Sequence, residues 1–171
     1  MGMKKVIDVF WKICLFKLRP QDLPASSFLL LVSMLAYGIA GVLVGLMSLS
    51  PGVALISTVL DIALVGSMTQ LLLWIKQMTP RFKQAFTALM GTGAIVGFLA
   101  LPLAFLQTQA GEEPAVLPSV MLLGLVLWSF GIVGHILRHT ISAPFFVGVM
   151  LAVLYMYVSM SIMRSLFATA S

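Results

Sequence analysis

Residues 52–74, GVALISTVLDIALVGSMTQLLLW, form a long apolar segment that contains a single charged side chain, Asp61. A helix rises about 1.5 Å per residue, so a segment of this length spans the ~30 Å hydrocarbon core of a bilayer. It therefore predicts a transmembrane helix. Asp61 lies ~13 Å along that helix, close to the middle of the membrane, where lipid strongly disfavours a charged side chain.

The composition of the whole chain agrees with this segment. Hydrophobic residues make up 61% of the 171 residues and charged residues only 9%, and the mean hydropathy is +1.12. Soluble domains carry about 25% charged residues, so we predict an integral membrane protein with no room for a soluble catalytic domain. The net charge of +5 comes without a basic patch interleaved with aromatic residues, so we expect no nucleic-acid partner. The single cysteine, Cys14, excludes an intramolecular disulfide.

Four further apolar segments of similar length indicate a polytopic bundle. We predict one all-α membrane domain, residues 1–171, whose five transmembrane helices lie at about 28–49, 52–75, 85–106, 118–137 and 144–163. Pro51 and Gly52 favour a tight reversal, so the first two spans should form an antiparallel hairpin. Pro102 lies inside the third span and is expected to kink it or to end its regular hydrogen bonding early.

The basic residues predict the orientation of the chain. Nine of its ten basic residues lie in the N-terminal segment and in the second and fourth connections, which alternation of sides places on one face of the membrane: Lys4, Lys5, Lys12, Lys17, Arg19, Lys76, Arg81, Lys83 and Arg138. By the positive-inside rule this face is cytoplasmic. We therefore expect a multi-pass protein of the bacterial inner membrane, with a cytoplasmic N-terminus and a periplasmic C-terminus.

An amphipathic helix is predicted over residues 4–19, before the first span. On a helical wheel Lys5, Asp8, Lys12 and Arg19 share one sector of ~60°, while the apolar and aromatic side chains lie elsewhere. This pattern is typical of a helix in the cytoplasmic interface, with its cations toward anionic headgroups and Trp11 at the boundary. The alternative is a flexible basic leader.

Asp61 is the main candidate for chemistry within the membrane. Ionised in the hydrocarbon core, it would cost at least ~2.5 kcal/mol, which argues that it faces the bundle and is wholly or partly neutral. The sequence places no Lys or Arg at its depth, but Tyr37 on the first span and Tyr155 on the fifth lie at matching depth. We expect these three residues to be hydrogen-bonded as a structural contact. The alternative is a proton or cation relay in which Asp61 titrates.

Two small-xxx-small motifs predict close helix packing. Gly41 and Gly45 form one motif on the first span, and Gly93 and Gly97 form the other on the third. Glycines at this spacing let helix backbones approach closely in lipid. The motifs indicate either packing within the chain or a seam between two copies.

Histidine and methionine patterns raise the question of a metal. His135 and His139 lie one helical turn apart, but no general base and no third ligand accompany them, so they are more typical of headgroup-level histidines. Met156, Met160 and Met163 share a helix face and could hold Cu(I), although methionine is also a common filler of apolar seams. With no nucleophile and base beside an oxyanion site, we expect no enzyme, no metal and no cofactor.

The segment LFKLRPQDLPASSFLL, residues 15–30, followed by closely spaced spans, resembles the bacterial members of the Yip1-domain superfamily. In residues the resemblance is carried by LRPQD, residues 18–22, and otherwise by the five-span architecture. It implies a five-helix bundle with a cytoplasmic N-terminus. In eukaryotic relatives it also implies interaction with small GTPases and trafficking machinery, whereas bacterial members have no agreed activity.

These observations favour a small membrane scaffold or a subunit of a larger membrane assembly. The alternative is a small transporter or ion-coupled subunit that uses Asp61. The expected partners are anionic lipid headgroups and either another membrane protein or a second copy of the chain. The surfaces expected to contact them are the N-terminal helix and the second connection, through Lys5, Trp11, Lys12, Arg19, Lys76, Arg81 and Lys83.

Overall fold

The protein is an all-α helical bundle, as predicted. A computed structural model describes residues 3–109 and 115–167, and this part of the chain contains helices and no strand. Helices α2 to α6 are each long and apolar enough to cross a membrane, which makes this a multi-pass membrane protein. The helices are α1 (Met3–Cys14), α2 (Ser27–Gly45), α3 (Pro51–Ile75), α4 (Phe82–Gln109), α5 (Val116–Thr140) and α6 (Phe145–Phe167).

Local chemistry sets several helix ends. Ser26 caps α2, its hydroxyl accepting a hydrogen bond from the backbone N–H of Leu29. Helix α2 ends at Gly45, before the predicted boundary, because residues 46–50 form the turn into α3. Proline at position 51 opens α3, where its missing N–H costs no helical hydrogen bond. Pro102 does not end α4, which continues to Gln109; transmembrane helices tolerate the single backbone bond that an internal proline removes.

Helix α4 lies at the centre of the bundle. It packs most extensively against α2 and α5, and also contacts α1 and α3. Its residues from Ala85 to Thr92 are all buried, whereas the longest buried run in the other spans is Gly134 to Leu137 on α5. Helix α6 packs chiefly on α5, and α3 packs chiefly on α2. Helices α3 and α6 contact each other only sparsely, so the seam between them is the loosest side of the bundle.

The four motif glycines all face neighbouring helices of the same chain. Gly41 and Gly45 on α2 face α3, and Gly93 and Gly97 on α4 face α2. A methyl group added at any of the four would lie 2.6–3.0 Å from a side-chain atom of the facing helix. Such approaches bring the α2–α3 and α2–α4 backbones close together, and they occupy both motifs with packing inside the chain.

Helix α1 docks against the bundle through its apolar face. Phe10, Ile13 and Cys14 are buried, while Asp8 and Lys12 on the opposite face are exposed and form an ion pair of 2.6 Å. The Phe10 ring occupies the space beside Gly91, where an added methyl group would lie 2.3 Å from a ring carbon. Gly91 lies nine residues, about 14 Å, inside the start of α4. The apolar face of this amphipathic helix therefore contacts protein.

The predicted extent of α1, residues 4–19, is wrong at its C-terminal end. The helix stops at Cys14, and the chain reverses through Phe16, whose φ of 61° lies in the left-handed region. The Phe16 ring packs against the flat face left by Gly131 and lies edge-on to His135, with ring centroids 5.4 Å apart. These contacts hold the reversal against α5, and the positive φ is incompatible with a continuous helix.

Candidate functional site

Three polar side chains meet in the interior of the bundle, each from a different helix. The hydroxyl of Tyr37 on α2 donates a hydrogen bond of 2.5 Å to Oδ2 of Asp61 on α3. The hydroxyl of Tyr155 on α6 donates to Oδ1 of the same carboxyl group. Both oxygens of Asp61 therefore have a tyrosine partner, and the three residues that depth counting selected from the sequence are in direct contact.

The α2–α3 hairpin explains why these residues meet. Tyr37 lies eight residues before the end of α2, and Asp61 lies ten residues after the start of α3. In an antiparallel pair these separations correspond to about 12 Å and 15 Å from the turn, so the two side chains reach the same depth. Gly93 on α4 completes the arrangement, because its missing side chain leaves the space that the Tyr37 ring occupies.

In the described part of the chain no cation pairs with Asp61. The one ion pair there joins Lys12 to Asp8 on the exposed face of α1. Asp61 is thus satisfied by hydrogen bonds from two phenols, as a polar group in an apolar environment must be. The arrangement links α2, α3 and α6 through one carboxyl group. Its Tyr155 arm crosses the sparse α3–α6 seam.

An internal cavity of about 430 Å³ lies beside the triad of Tyr37, Asp61 and Tyr155. The sequence did not predict this cavity. Its walls come from α2 to α6 and are mostly apolar. Tyr37 and Tyr155 are among its few polar lining residues, together with Thr69, Thr92 and Ser129. The hydroxyl groups of Thr92 and Ser129 donate to carbonyl oxygens of their own helices, and those of the two tyrosines donate to Asp61, so the cavity surface offers few free polar groups. No sequence pattern marks this cavity, since its lining residues resemble the lipid-facing ones.

Some residues of the predicted partner surface are exposed, and others contact other parts of the protein. Lys12, Lys76 and Lys83 are exposed, and the side chain of Lys5 lies outside the described part of the chain. Lys83 donates a hydrogen bond of 3.2 Å to the hydroxyl of Ser27, which ties the start of α4 to the start of α2. These lysines and Arg19, which is also exposed, are therefore the accessible basic groups of this surface.

Arg81 and Trp11, the remaining described members of that surface, contact other parts of the fold. Arg81 donates to the carbonyl oxygen of Thr140 at 3.1 Å, which joins the α3–α4 connection to the end of α5. Trp11 lies edge-on to Trp128, with ring centroids 6.2 Å apart, and the Trp128 indole N–H donates to the carbonyl oxygen of Cys14 at 3.2 Å. Trp11 therefore has a protein neighbour on α5 as well as an exposed edge. Burial raises the pKa of the neighbouring Cys14 thiol to about 12.

In the described residues the two histidines have no third metal-ligating residue beside them. No group of three His, Cys, Asp or Glu residues that could hold a metal occurs in residues 3–109 or 115–167. A ring nitrogen of His135 hydrogen-bonds the carbonyl oxygen of Leu18 at 2.9 Å, which secures the N-terminal segment to α5. Met156, Met160 and Met163 all lie on α6; Met156 lines the internal cavity, and both Met156 and Met160 are exposed.

Comparisons with protein-family models, with curated proteins and with solved structures found no match for this chain. They neither support nor oppose the resemblance to the Yip1-domain superfamily, which stays a prediction.

Proposed function

We propose that this chain is a small integral membrane scaffold, or a subunit of a larger membrane assembly, in the bacterial inner membrane. One observation carries the proposal: both carboxyl oxygens of Asp61 are engaged by Tyr37 and Tyr155. The only acid within the described spans is thereby committed to holding three helices together. A bundle organised in this way supports a role in which its surface, more than its interior, performs the function.

The proposed orientation places the N-terminus in the cytoplasm and the C-terminus in the periplasm. It is supported by the distribution of basic residues, and the resemblance to Yip1-domain proteins implies the same cytoplasmic N-terminus. Fusing a reporter that is active only in the periplasm to the C-terminus tests the assignment. Activity from that fusion, with none from the same reporter at the N-terminus, agrees with it; the reverse pattern contradicts it.

The partner surface that we propose consists of the exposed lysines at the cytoplasmic end of the bundle. Lys76 and Lys83 flank the α3–α4 connection and are exposed. A second membrane protein with acidic residues in its juxtamembrane segment, or a second copy of this chain, would meet these cations. The N-terminal helix contributes Lys12, although its pairing with Asp8 leaves less charge for a partner.

The experiment is to purify the chain from native membranes under mild conditions and to determine the mass of the intact complex. We expect a fixed stoichiometry of subunits that survives Asp61→Asn, because an amide can still accept a hydrogen bond from a tyrosine. Lys76→Glu together with Lys83→Glu should dissociate the complex. Arg164→Glu, an exposed cation near the far end of α6, is the matched control. A bare monomer in every preparation would contradict the proposal.

The internal cavity favours a second candidate, a small transporter or ion-coupled subunit. Tyr37 and Tyr155 contact both Asp61 and this cavity, so a species inside it would lie one residue away from the acid. In that case purified protein in liposomes should carry a pH-dependent flux that Asp61→Asn abolishes. A flux equal to that of empty liposomes would remove this candidate.

A further inference from the structure

A second cavity, of about 540 Å³ and polar in character, lies at the end of the bundle where α3 ends and α4 begins. Three arginines from three separate segments line it. Arg19 precedes the short 3-10 turn Pro20–Asp22, Arg81 ends the 3-10 turn Thr79–Arg81, and Arg138 lies in the last turn of α5. The fold thus brings together cations that are widely separated in sequence.

Two of the arginines are held in place by contacts that leave donors free. Arg81 uses one terminal nitrogen to donate to the carbonyl oxygen of Thr140 and, at 3.3 Å, to the hydroxyl of Ser142. Arg138 donates through Nε to a ring nitrogen of His139 at 3.2 Å, and its guanidinium lies 5.8 Å from the centre of the Phe145 ring. Within the described residues, the remaining guanidinium N–H groups of both arginines have no protein acceptor.

The charges around the cavity do not balance. Asp22 is its one acidic lining residue, and this carboxylate accepts a hydrogen bond of 2.7 Å from the backbone N–H of Arg19. In the described part of the chain no arginine forms an ion pair with a carboxylate, and the Arg19 guanidinium forms no hydrogen bond there. Three guanidinium groups facing one carboxylate make an anion site, and guanidinium geometry matches phosphate oxygens.

Two neighbouring features favour a lipid as the source of the phosphate. Next to Arg138, Phe145 is 42% exposed and Phe146 is 70% exposed, so an apolar surface for acyl chains adjoins the cavity. The side-chain oxygen of Gln21, which lines the cavity, is a buried acceptor with no partner in the described residues. It could accept a hydrogen bond from a headgroup hydroxyl. Inorganic phosphate has no acyl chains to contact the exposed phenylalanines and no separate headgroup hydroxyl to reach Gln21.

We propose that this cavity binds the phosphate of an anionic phospholipid with a hydroxylated headgroup. The three arginines receive the phosphate oxygens, Gln21 accepts from a headgroup hydroxyl, and the acyl chains lie along the start of α6. Basic pockets between transmembrane helices are known to hold anionic headgroups in this way. The site is distinct from the Asp61 triad, which lies in the middle of the spans.

The test is a lipid titration of the purified full-length protein in detergent, followed by native mass spectrometry. The probes are dioleoyl phosphatidylglycerol, dioleoyl phosphatidylcholine with the same acyl chains, and inorganic phosphate as a competitor. The variants are Arg19→Gln and Arg138→Gln, checked for folding by circular dichroism. Lys17→Gln is the matched control, because Lys17 is an exposed cation two residues from Arg19 and does not line the cavity.

We expect the protein to retain phosphatidylglycerol in preference to phosphatidylcholine. Arg19→Gln should weaken that binding about fivefold, the effect of removing one basic group near a headgroup, and Arg138→Gln should do so independently. Lys17→Gln should leave it unchanged. Equal binding of the two lipids, or an equal loss in Lys17→Gln, would overturn the proposal. Displacement of the lipid by equimolar inorganic phosphate would overturn the assignment to a lipid source.

Discussion

Removing the hydroxyl group of Tyr155 tests the central contact of the bundle. In Tyr155→Phe the oxygen Oδ1 of Asp61 loses its partner, while the Tyr37 bond to Oδ2 remains. Hydrogen bonds between transmembrane helices contribute ~0.6 kcal/mol on average and ~1.7 kcal/mol at most. Because the acceptor is a carboxyl group and the bond crosses the sparse α3–α6 seam, we expect a cost near the upper value, about 1.5 kcal/mol.

A double-mutant cycle separates this bond from general effects of the substitution. Asp61→Leu removes the shared acceptor and leaves two phenol hydroxyls unsatisfied. In that background Tyr155→Phe should cost about 0 kcal/mol, or stabilise slightly, since it removes one of those unsatisfied groups. The coupling free energy between the two positions should therefore be about 1–2 kcal/mol, which is well within the range for residues in contact.

The assay is reversible unfolding in mixed micelles with increasing sodium dodecyl sulfate, followed by far-UV circular dichroism. Tyr157→Phe is the matched control, because Tyr157 is on the same helix and is 69% exposed. We expect it to change the free energy of unfolding by less than ~0.5 kcal/mol. If Tyr155→Phe costs no more than this control, or costs the same with Asp61 and with Leu at position 61, the reasoning is refuted.

Three further predictions concern packing and the docked N-terminal helix. Gly148→Ala should destabilise the protein by about 2 kcal/mol or more in the same assay, because the new methyl group would lie 2.2 Å from the backbone oxygen of Gly134. The control Gly124→Ala places its methyl group in open space and should be neutral or slightly stabilising. Cys14 should resist N-ethylmaleimide at pH 8 in the folded protein, because burial raises the pKa of its thiol to about 12. After unfolding in detergent it should react fully. Rapid labelling of the folded protein would contradict the docking of α1. Phe10→Ala should lower the free energy of unfolding by about 3 kcal/mol or more and should accelerate Cys14 labelling, because the Phe10 ring packs beside Gly91. Unchanged labelling would show that this ring does not hold α1 against the bundle.

The sequence was sufficient to predict the spans and the meeting of Asp61 with its tyrosines. Span positions follow from hydropathy, because the bilayer imposes a minimum length on every apolar segment. The triad could be found because polar residues are rare in the spans, so matching depths left few partners for Asp61. Both inferences depend on distance along a helix axis, which a sequence encodes directly.

Which side of a helix faces protein was harder to predict. Lipid tails and a protein interior are equally apolar, so the burial pattern of α4 leaves little periodic signal in its sequence. For the same reason the internal cavity had no signature. The apolar face of α1 suits a lipid interface and a protein surface equally well, and its contact with Gly91 could not be inferred. Arg138 was assigned to orientation alone, because nothing local indicates that Arg19 and Arg81 lie beside it.

The docking of α1 constrains the order in which the chain can assemble. The side chain of Gln21 donates a hydrogen bond to the carbonyl oxygen of His139, 118 positions later in the chain. The carbonyl oxygen of Cys14 accepts one from the indole of Trp128, 114 positions later. At synthesis rates of ~5–20 residues per second, this interval lasts roughly 6–23 s. Throughout it the binding surface of α1 is incomplete, because α5 adds to the surface that α4 provides. Because an amphipathic helix can place its apolar face in the headgroup layer, we expect α1 to lie at the membrane interface until α4 and α5 are both in place.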